Sequence, residues 1–456
     1  MTMRVMIVCS SFPPVNATAV HRTVALCRRL AASGHGITVL TMPPAPRQDV
    51  DPALARRVPA GVRVIRTPPW FEPGRGRLAL RSARRPPRLR ETQPASAGVA
   101  AHGLSAVRSW FSDWLSMPDS RVGWLVPAVW SALCEARQSR PDVIYSTAPM
   151  WTAHLVGMCL SRLLDRPWVA DCRDPWHANP FRAFRHAAHR RVDAWLEGRM
   201  VARAAFVICS TGPARDELAC RYPAGAERIV AIPNGYDAEE IEAIRQSANC
   251  DSDGVCRFAH AGTFYGPRSP LPLMAAMTLL ARRRPGLRSR VRLCLIGQDH
   301  YEGSSLADLA GRLGIQDMVE ISGPLPRDEA LRRVYEANVA VVCGHSGPAA
   351  DLQIPRKFYE YVGLGKPTLV TSGTCRAVRQ LLDGQEARSL WLADDTPRGL
   401  RGLYEVVEQI VLRWRDGQAL GECRVELDLS AARMAERIES VLVQAAKAGE
   451  VQACSA

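Results

Sequence analysis

Arg356, Lys357 and Glu360 sit within one short stretch, Asp351 to Thr371, DLQIPRKFYEYVGLGKPTLVT. Pro355 precedes them and suits the start of a helix, where a missing N–H costs nothing. Two cations then fall in the first helical turn and an acid one turn later. The helix dipole prefers acids at that end, by about 0.3–1 kcal/mol per group. Two cations there make sense if an anion such as a phosphate docks on them. Residues three and four apart share a helix face, so both cations can lie near Glu360. A carboxylate beside two cations can accept hydrogen bonds from a sugar diol while the cations hold phosphates. That is the chemistry of a nucleoside diphosphate site. An internal salt bridge on a surface helix accounts for the same spacing. Lysine choice adds a hint. The chain has 59 Lys plus Arg, yet Lys occurs only at 357, 366 and 447. A compact ammonium differs from a guanidinium in shape and in how readily it loses its proton.

The elements around these residues place them at a sheet edge. Val339 to Cys343 is a β-branched apolar run that reads as a buried parallel strand. A polar loop follows, then the helix, which Gly363 and Gly365 end. Pro367 to Thr371 reads as the next strand. The helix therefore starts at the C-terminal edge of a sheet, where open α/β sheets bind ligands. Arg257 to Ala261, Val291 to Ile296 and Val319 to Ser322 read as further strands, and Asp328 to Asn338 as a helix. After Thr371 the pattern is mostly helical, clearest over Leu400 to Trp414 and Ala431 to Ala446.

The first half opens with a βαβ unit: Val5 to Cys9, a helix over Ala19 to Ala32 closed by Gly34, and Ile37 to Thr41. It lacks GxGxxG, which disfavours a nicotinamide enzyme. From Met42 to about Pro118 the pattern breaks into a tract rich in Pro, Gly and Arg. Arg75, Arg77, Arg81, Arg84, Arg85, Arg88 and Arg90 form a basic run, with Trp70 and Phe71 before it and Trp110, Phe111, Trp114 and Leu115 after. Long irregular inserts are functional or disordered. A functional insert of this kind would touch an anionic membrane, at roughly 1 kcal/mol per basic group near the surface, or a large acceptor. Regular order resumes with strands at Asp142 to Ser146, Trp168 to Asp171, Phe206 to Ser210 and Ile229 to Ile232. Asp171, Arg173, Asp174, Trp176 and His177 crowd the C-terminal end of the second of these, a candidate site. Pro233 to Asp237 makes a sharp turn between the halves.

At 456 residues the chain exceeds one ordinary core. We expect residues 1–236 to form an N-terminal Rossmann-like domain with the Arg-rich insert at about 70–118. Residues 237–430 form a second such domain, and 431–456 a helix packing back on the first. The 14 cysteines show no CxxC pair or metal spacing, which fits a reducing compartment. The opening MTMRVMIVCSSFPP reads as a strand and not as a secretory signal. No run of 18 apolar residues occurs. The net charge of +14 points to an anionic partner. Nucleic acid is disfavoured, because no reading module accompanies the charge. The expected location is cytoplasmic, with peripheral contact at the inner face of a membrane through the insert.

The order of these features resembles the retaining glycosyltransferases of family 4. The carriers are Phe12-Pro13-Pro14 with Gly34-His35, Asp171 to Trp176, Ile232 to Asp237, Gly262 to Gly266 with Arg268, Gly323 to Pro326, and Pro355 to Tyr361 with Gly365-Lys366-Pro367. The resemblance implies an α/β fold of GT-B type, two doubly wound Rossmann-like domains facing a central cleft. It implies transfer of a sugar from a nucleoside-diphosphate sugar, UDP-sugar favoured, to a sugar, lipid-linked or small-molecule acceptor, with retention and no metal or cofactor. Glu360 matches the second Glu of the family's paired motif, which binds the donor ribose. Arg268 and Lys357 match the cations that hold the diphosphate and stabilise the leaving group. Gly262, Asp351, Ile354 and Pro355 complete the donor side. Asp171, Asp174 and His177 are catalytic candidates across the cleft, with Pro14, Asn16, Arg173 and Trp176 on the acceptor side. Two departures stand out. Val15-Asn16-Ala17-Thr18 replaces paired glycines, and Leu352 stands where the first Glu belongs, eight residues before Glu360. Neighbouring Asp351 could substitute if the loop shifts. A sugar-nucleotide epimerase on the same fold and an inactive, glycosyltransferase-like binding protein are the alternatives.

Overall fold

The computed structural model describes residues 2–46, 48–72, 114–179, 186–249, 253–344 and 350–455. The chain divides into two compact units. One comprises Met1–Ser210, Ala214–Pro233 and Met434–Ala456; the other comprises Thr211–Pro213 and Asn234–Arg433.

The first unit runs β1 (Arg4–Cys9), α1 (Thr18–Ala32), β2 (Gly36–Thr41), α2 (Pro52–Arg56), β3 (Arg63–Arg66), α3 (Leu125–Ala136), β4 (Val143–Thr147), α4 (Thr152–Leu164), β5 (Trp168–Cys172), α5 (Ala187–Arg203), β6 (Phe206–Cys209), α6 (Gly212–Arg221) and β7 (Ile229–Ala231). Its seven strands lie in the order β3-β2-β1-β4-β5-β6-β7. All neighbours are parallel. The central strands β1, β4 and β5 are buried over nearly their whole length, as expected where helices cover both faces of a parallel sheet. Gly34 takes a left-handed φ of +77° and ends α1. Its N–H bonds to Ala31 and that of His35 to Leu30, which closes the orphan carbonyls of the last turn. Within the same unit Arg29 and His35 meet Glu439 at 2.5 and 3.2 Å.

The second unit runs α7 (Ala238–Ser247), β8 (Cys256–Ala261), α8 (Leu271–Arg283), β9 (Val291–Ile296), α9 (Leu306–Arg312), β10 (Val319–Gly323), α10 (Arg327–Glu336), β11 (Val339–Cys343), α11 (Arg356–Gly363), β12 (Thr368–Thr371), α12 (Arg376–Leu381), β13 (Ala387–Arg388), β14 (Leu390–Ala393), α13 (Leu400–Arg415) and β15 (Arg424–Val425). The last helix, α14 (Ala431–Ser455), carries the chain back into the first unit. The second sheet has the order β10-β9-β8-β11-β12-β14, again all parallel. Side chains of β11 alternate between two cores. Val339, Val341 and Cys343 join one cluster, and Ala340 and Val342 the other. Strand order reverses between β1 and β4 in the first unit and between β8 and β11 in the second. These switch points are where doubly wound sheets open a crevice.

Two expectations are corrected. The tract after Met42 is not uniformly irregular, since α2 and β3 lie in it. β3 is a largely exposed edge strand, so its residues carry no buried alternation to read. The tail after Thr371 is not only helical. β14 extends the sheet beside β12, but it has only four residues and is half-buried.

Close packing of α4 on the sheet depends on a missing side chain. A Cβ at Gly157 would lie 2.5 Å from Trp168 Nε1 and 3.0 Å from Ser146 Oγ. Those two atoms share a hydrogen bond of 2.7 Å. Gly157→Ala is therefore expected to destabilise the first unit by about 1–3 kcal/mol through overpacking. A lower urea midpoint at unchanged slope would show it.

Candidate functional site

At the switch point of the second unit, β8 ends in Ala261 and Gly262. Gly262 has φ +141°, and its N–H donates to Ile296 at 2.6 Å. The side chain of Lys357, from the first turn of α11, comes up against this glycine. A Cβ there would lie only 1.9 Å from Lys357 Nζ. Gly262 thus leaves the space that the ammonium occupies. Nζ also lies 3.5 Å from Nε2 of His260, a buried residue of β8. His260 Nδ1 is 2.9 Å from the carbonyl oxygen of Val341. A carbonyl only accepts, so Nδ1 carries the proton and Nε2 presents its lone pair to Lys357. Phe264 stacks on the imidazole, with ring centroids 4.7 Å apart.

Arg268 shares this edge. Its guanidinium lies over the Tyr265 ring at 5.1 Å, and backbone bonds of 3.2 and 3.1 Å join the two residues in a tight turn. Burial, and then the charge of Arg268, lower the Lys357 ammonium from its ordinary value to about 8. Burial, Lys357 and Arg268 hold His260 well below its usual range. It is neutral at physiological pH.

Glu360 is buried on the same helix. Arg356 Nε and Arg327 Nη2 reach its Oε1 at 2.6 and 2.7 Å. Arg327, at the start of α10, also grips Glu240 of α7 at 2.8 Å. Burial alone would raise the Glu360 carboxyl, but Arg356 and Arg327 outweigh it and hold it below its ordinary value. The expected neighbour Arg356 is therefore present, while Arg327, Glu240 and His260 were not anticipated. Arg327 directly follows the Gly323 to Pro326 motif, which was a usable signal. His260 is hidden inside an apolar strand and gave none.

Other donor-side candidates play supporting parts. Pro355 caps α11 with φ −57° and ψ 141°. Ile354 and Leu352 are buried in the packing. Asp351 does not stand in for the missing Glu as placed here. Its Oδ1 accepts from Thr374 Oγ1 at 2.6 Å and the Arg376 N–H at 3.4 Å, which ties it to the start of α12.

In the first unit, Asp171 lies near the end of β5 in a hydrogen-bonded cluster. It is fully buried. Arg22 Nε and Nη2 donate to it at 2.9 and 3.0 Å, Tyr145 Oη at 2.5 Å and Thr147 Oγ1 at 3.1 Å. Arg22 further donates to the carbonyls of Ile232 and Pro233. Trp176 is buried, donates to Asp193 at 2.9 Å and stacks with Trp151 and His154. The Arg173 carbonyl accepts from Ser210 Oγ at 2.6 Å, and its guanidinium lies 3.4 Å from Asp174. His177 is partly exposed, with Nδ1 3.4 Å from Asp193. Asn16 bonds to Asp49 through both its amide and its backbone N–H, each at 2.9 Å. Pro14 accepts from the Asp51 N–H at 2.7 Å. The basic run from Arg75 to Arg90 lies outside the described residues. Trp70, Phe71 and Leu115 beside it are exposed. Among the described residues no helix is long and apolar enough to cross a membrane, and no group of ligating side chains forms a metal cluster.

Two doubly wound units of this kind define the GT-B fold. Solved structures agree at full coverage of both chains. Sucrose-phosphate synthase from Thermosynechococcus elongatus superposes with a TM-score of 0.60 at 15% identity. The Anabaena protein HepE in complex with UDP does so with a TM-score of 0.54 at 16% identity. Residues 18–235, just under half of the chain, match the family model of the glycosyl transferase 4-like domain, and the chain is similar to glycosyltransferases of that family. Glycogen synthase of Mycobacterium tuberculosis is 25% identical over 419 residues, 90% of this chain and 86% of that protein. D-inositol 3-phosphate glycosyltransferase of Kineococcus radiotolerans is 31% identical over 159 residues, which span 33% of this chain and 37% of that relative.

The pairing of Asp171 with Arg22 has a direct consequence. Arg22→Met leaves a buried carboxylate without its cation and is expected to cost about 3–5 kcal/mol. Equilibrium urea unfolding of the first unit should show the loss, and Asp171→Asn should show a smaller one.

Proposed function

We propose that this protein transfers a sugar from a nucleoside-diphosphate sugar, UDP-sugar favoured, to an acceptor hydroxyl with retention and without a metal ion. The observation that carries the reading is the Lys357 ammonium seated in the space over Gly262 at a sheet switch point, where the charge of Arg268 also acts on it. An anion bound there relieves the repulsion between them. A diphosphate fits, because its negative charge grows as the sugar leaves, and preorganised cations stabilise that developing charge. The relative named above that holds UDP supports the choice of nucleotide by analogy of fold.

In the proposed step the bond between the sugar anomeric carbon and the diphosphate oxygen breaks. The acceptor oxygen bonds to the same carbon from the same face. Its proton passes to the departing diphosphate oxygen, so no separate base is compulsory. Arg268 and Lys357 take the charge that a metal ion would otherwise carry. Glu360, kept ionised by its two arginines, would accept hydrogen bonds from the ribose hydroxyls. Asp174 and His177 are the residues to test if the reaction inverts.

The site titration gives a signed test. A bound diphosphate raises the Lys357 pKa above its free value of about 8. UDP affinity should therefore be flat below pH 8 and fall above it, by at most about tenfold per pH unit. Lys357→Met should weaken binding and flatten the profile. The unbound protein should show the opposite trend. Between pH 8 and the ordinary value of 10.5 the unfolded chain binds the extra proton, so stability rises with pH in that window. Lys357→Met should remove this rise. Calorimetry with UDP and GDP, and turnover with and without acceptor in the presence of a chelator, check the reading. An acceptor-independent reaction would indicate an epimerase. The absence of binding to any nucleoside diphosphate would leave only a scaffold role.

A further inference from the structure

Lys357 faces four ionisable neighbours, and none of them is a free carboxylate. Arg268 opposes it, Glu360 is engaged by Arg356 and Arg327, Cys343 is a buried thiol, and His260 is in contact. Burial pushes the Cys343 thiol up to about 11, so it is neutral. Nζ lies 3.5 Å from His260 Nε2. That nitrogen is fixed as an acceptor by the Val341 carbonyl on its other side. The ring plane is fixed by Phe264. A carboxylate in this place would cancel the charge and compete with a phosphate. A neutral imidazole supplies a lone pair and no charge.

We propose that His260 is a positioning residue. Its Nε2 lone pair holds the Lys357 ammonium in the space left by Gly262 and keeps the positive charge available to the donor diphosphate. The proposal deepens the donor-site reading and rests on it for the ligand, but the contact itself can be tested without nucleotide.

The chain has lysines only at 357, 366 and 447. Labelling the lysine Cε carbons with carbon-13 therefore yields few resonances, which Lys→Arg substitutions at 366 and 447 assign. In the full-length protein the Lys357 signal should titrate near pH 8, apart from the others. His260→Phe keeps an aromatic ring on Phe264 but removes the acceptor. Its Lys357 titration should move lower, and UDP affinity at pH 7 should fall about tenfold, in line with one hydrogen bond to a charged group. His260→Asn, which can place an amide oxygen as acceptor, should stay within about threefold of the native protein. His260→Asp should move the titration upward yet weaken UDP, because the carboxylate competes with it. Equal titrations and affinities across the native, Phe and Asp proteins would reduce His260 to a packing residue and overturn the proposal. If the Phe variant does not fold, the Asp and Asn proteins carry the same comparison. If the native protein binds no nucleoside diphosphate while the Lys357 titration still follows residue 260, the donor reading fails and the positioning role stands.

Discussion

The ammonium of Lys357 lies out of bulk water, against Gly262 at the end of β8 and under the influence of the Arg268 charge. Like charges in that setting repel, and burial makes each harder to keep ionised. A folded chain keeps such an arrangement only where the surroundings hold it in place. Here the surroundings are specific. Gly262 vacates the volume, His260 offers an uncharged acceptor, and Glu360 is committed to Arg327 and Arg356. The strand order supplies the rest, because β8 and β11 diverge at this edge and α11 enters it from β11.

The first unit handles buried charge in the opposite way. Asp171 sits at the same kind of strand end, yet it accepts four hydrogen bonds, three on Oδ2 and one on Oδ1, from Arg22, Tyr145 and Thr147. A carboxylate so engaged offers position. Arg22 joins α1 to β5 and to the carbonyls of Ile232 and Pro233, the last residues of that unit before the chain crosses over. A buried acid at a sheet edge is thus fully engaged by its neighbours in one unit, while the buried ammonium at a sheet edge in the other meets an uncharged acceptor and a like charge.

How much of this was legible follows from the physics of each signal. Strands buried on both faces declare themselves as apolar runs, and β1, β4, β5, β8, β9 and β11 were all readable. Edge strands such as β3 and β14 bury too little to leave a pattern. The pairing of Arg356 with Glu360 followed from helical spacing alone. Its extension to Arg327 and Glu240 joins three helices far apart in sequence, and no local spacing encodes that. The hydrogen-bonded cluster around Asp171 was not legible because strand-end polar residues look alike in sequence. Their partners distinguish them, and Arg22 lies 149 residues away.

The rarity of lysine also finds a physical reason at position 357. Arginine stays charged at any pH that proteins meet, and its planar fork needs room for five donors. The space over Gly262 is the size of a single missing methyl group, since a Cβ there would meet Nζ at 1.9 Å. A guanidinium does not fit where an ammonium tip does. An ammonium can also be brought down toward neutral pH by burial and a neighbouring cation, whereas a guanidinium cannot. In a chain that otherwise uses arginine for its surface and its salt bridges, the exception falls where the cation must be compact and its charge adjustable.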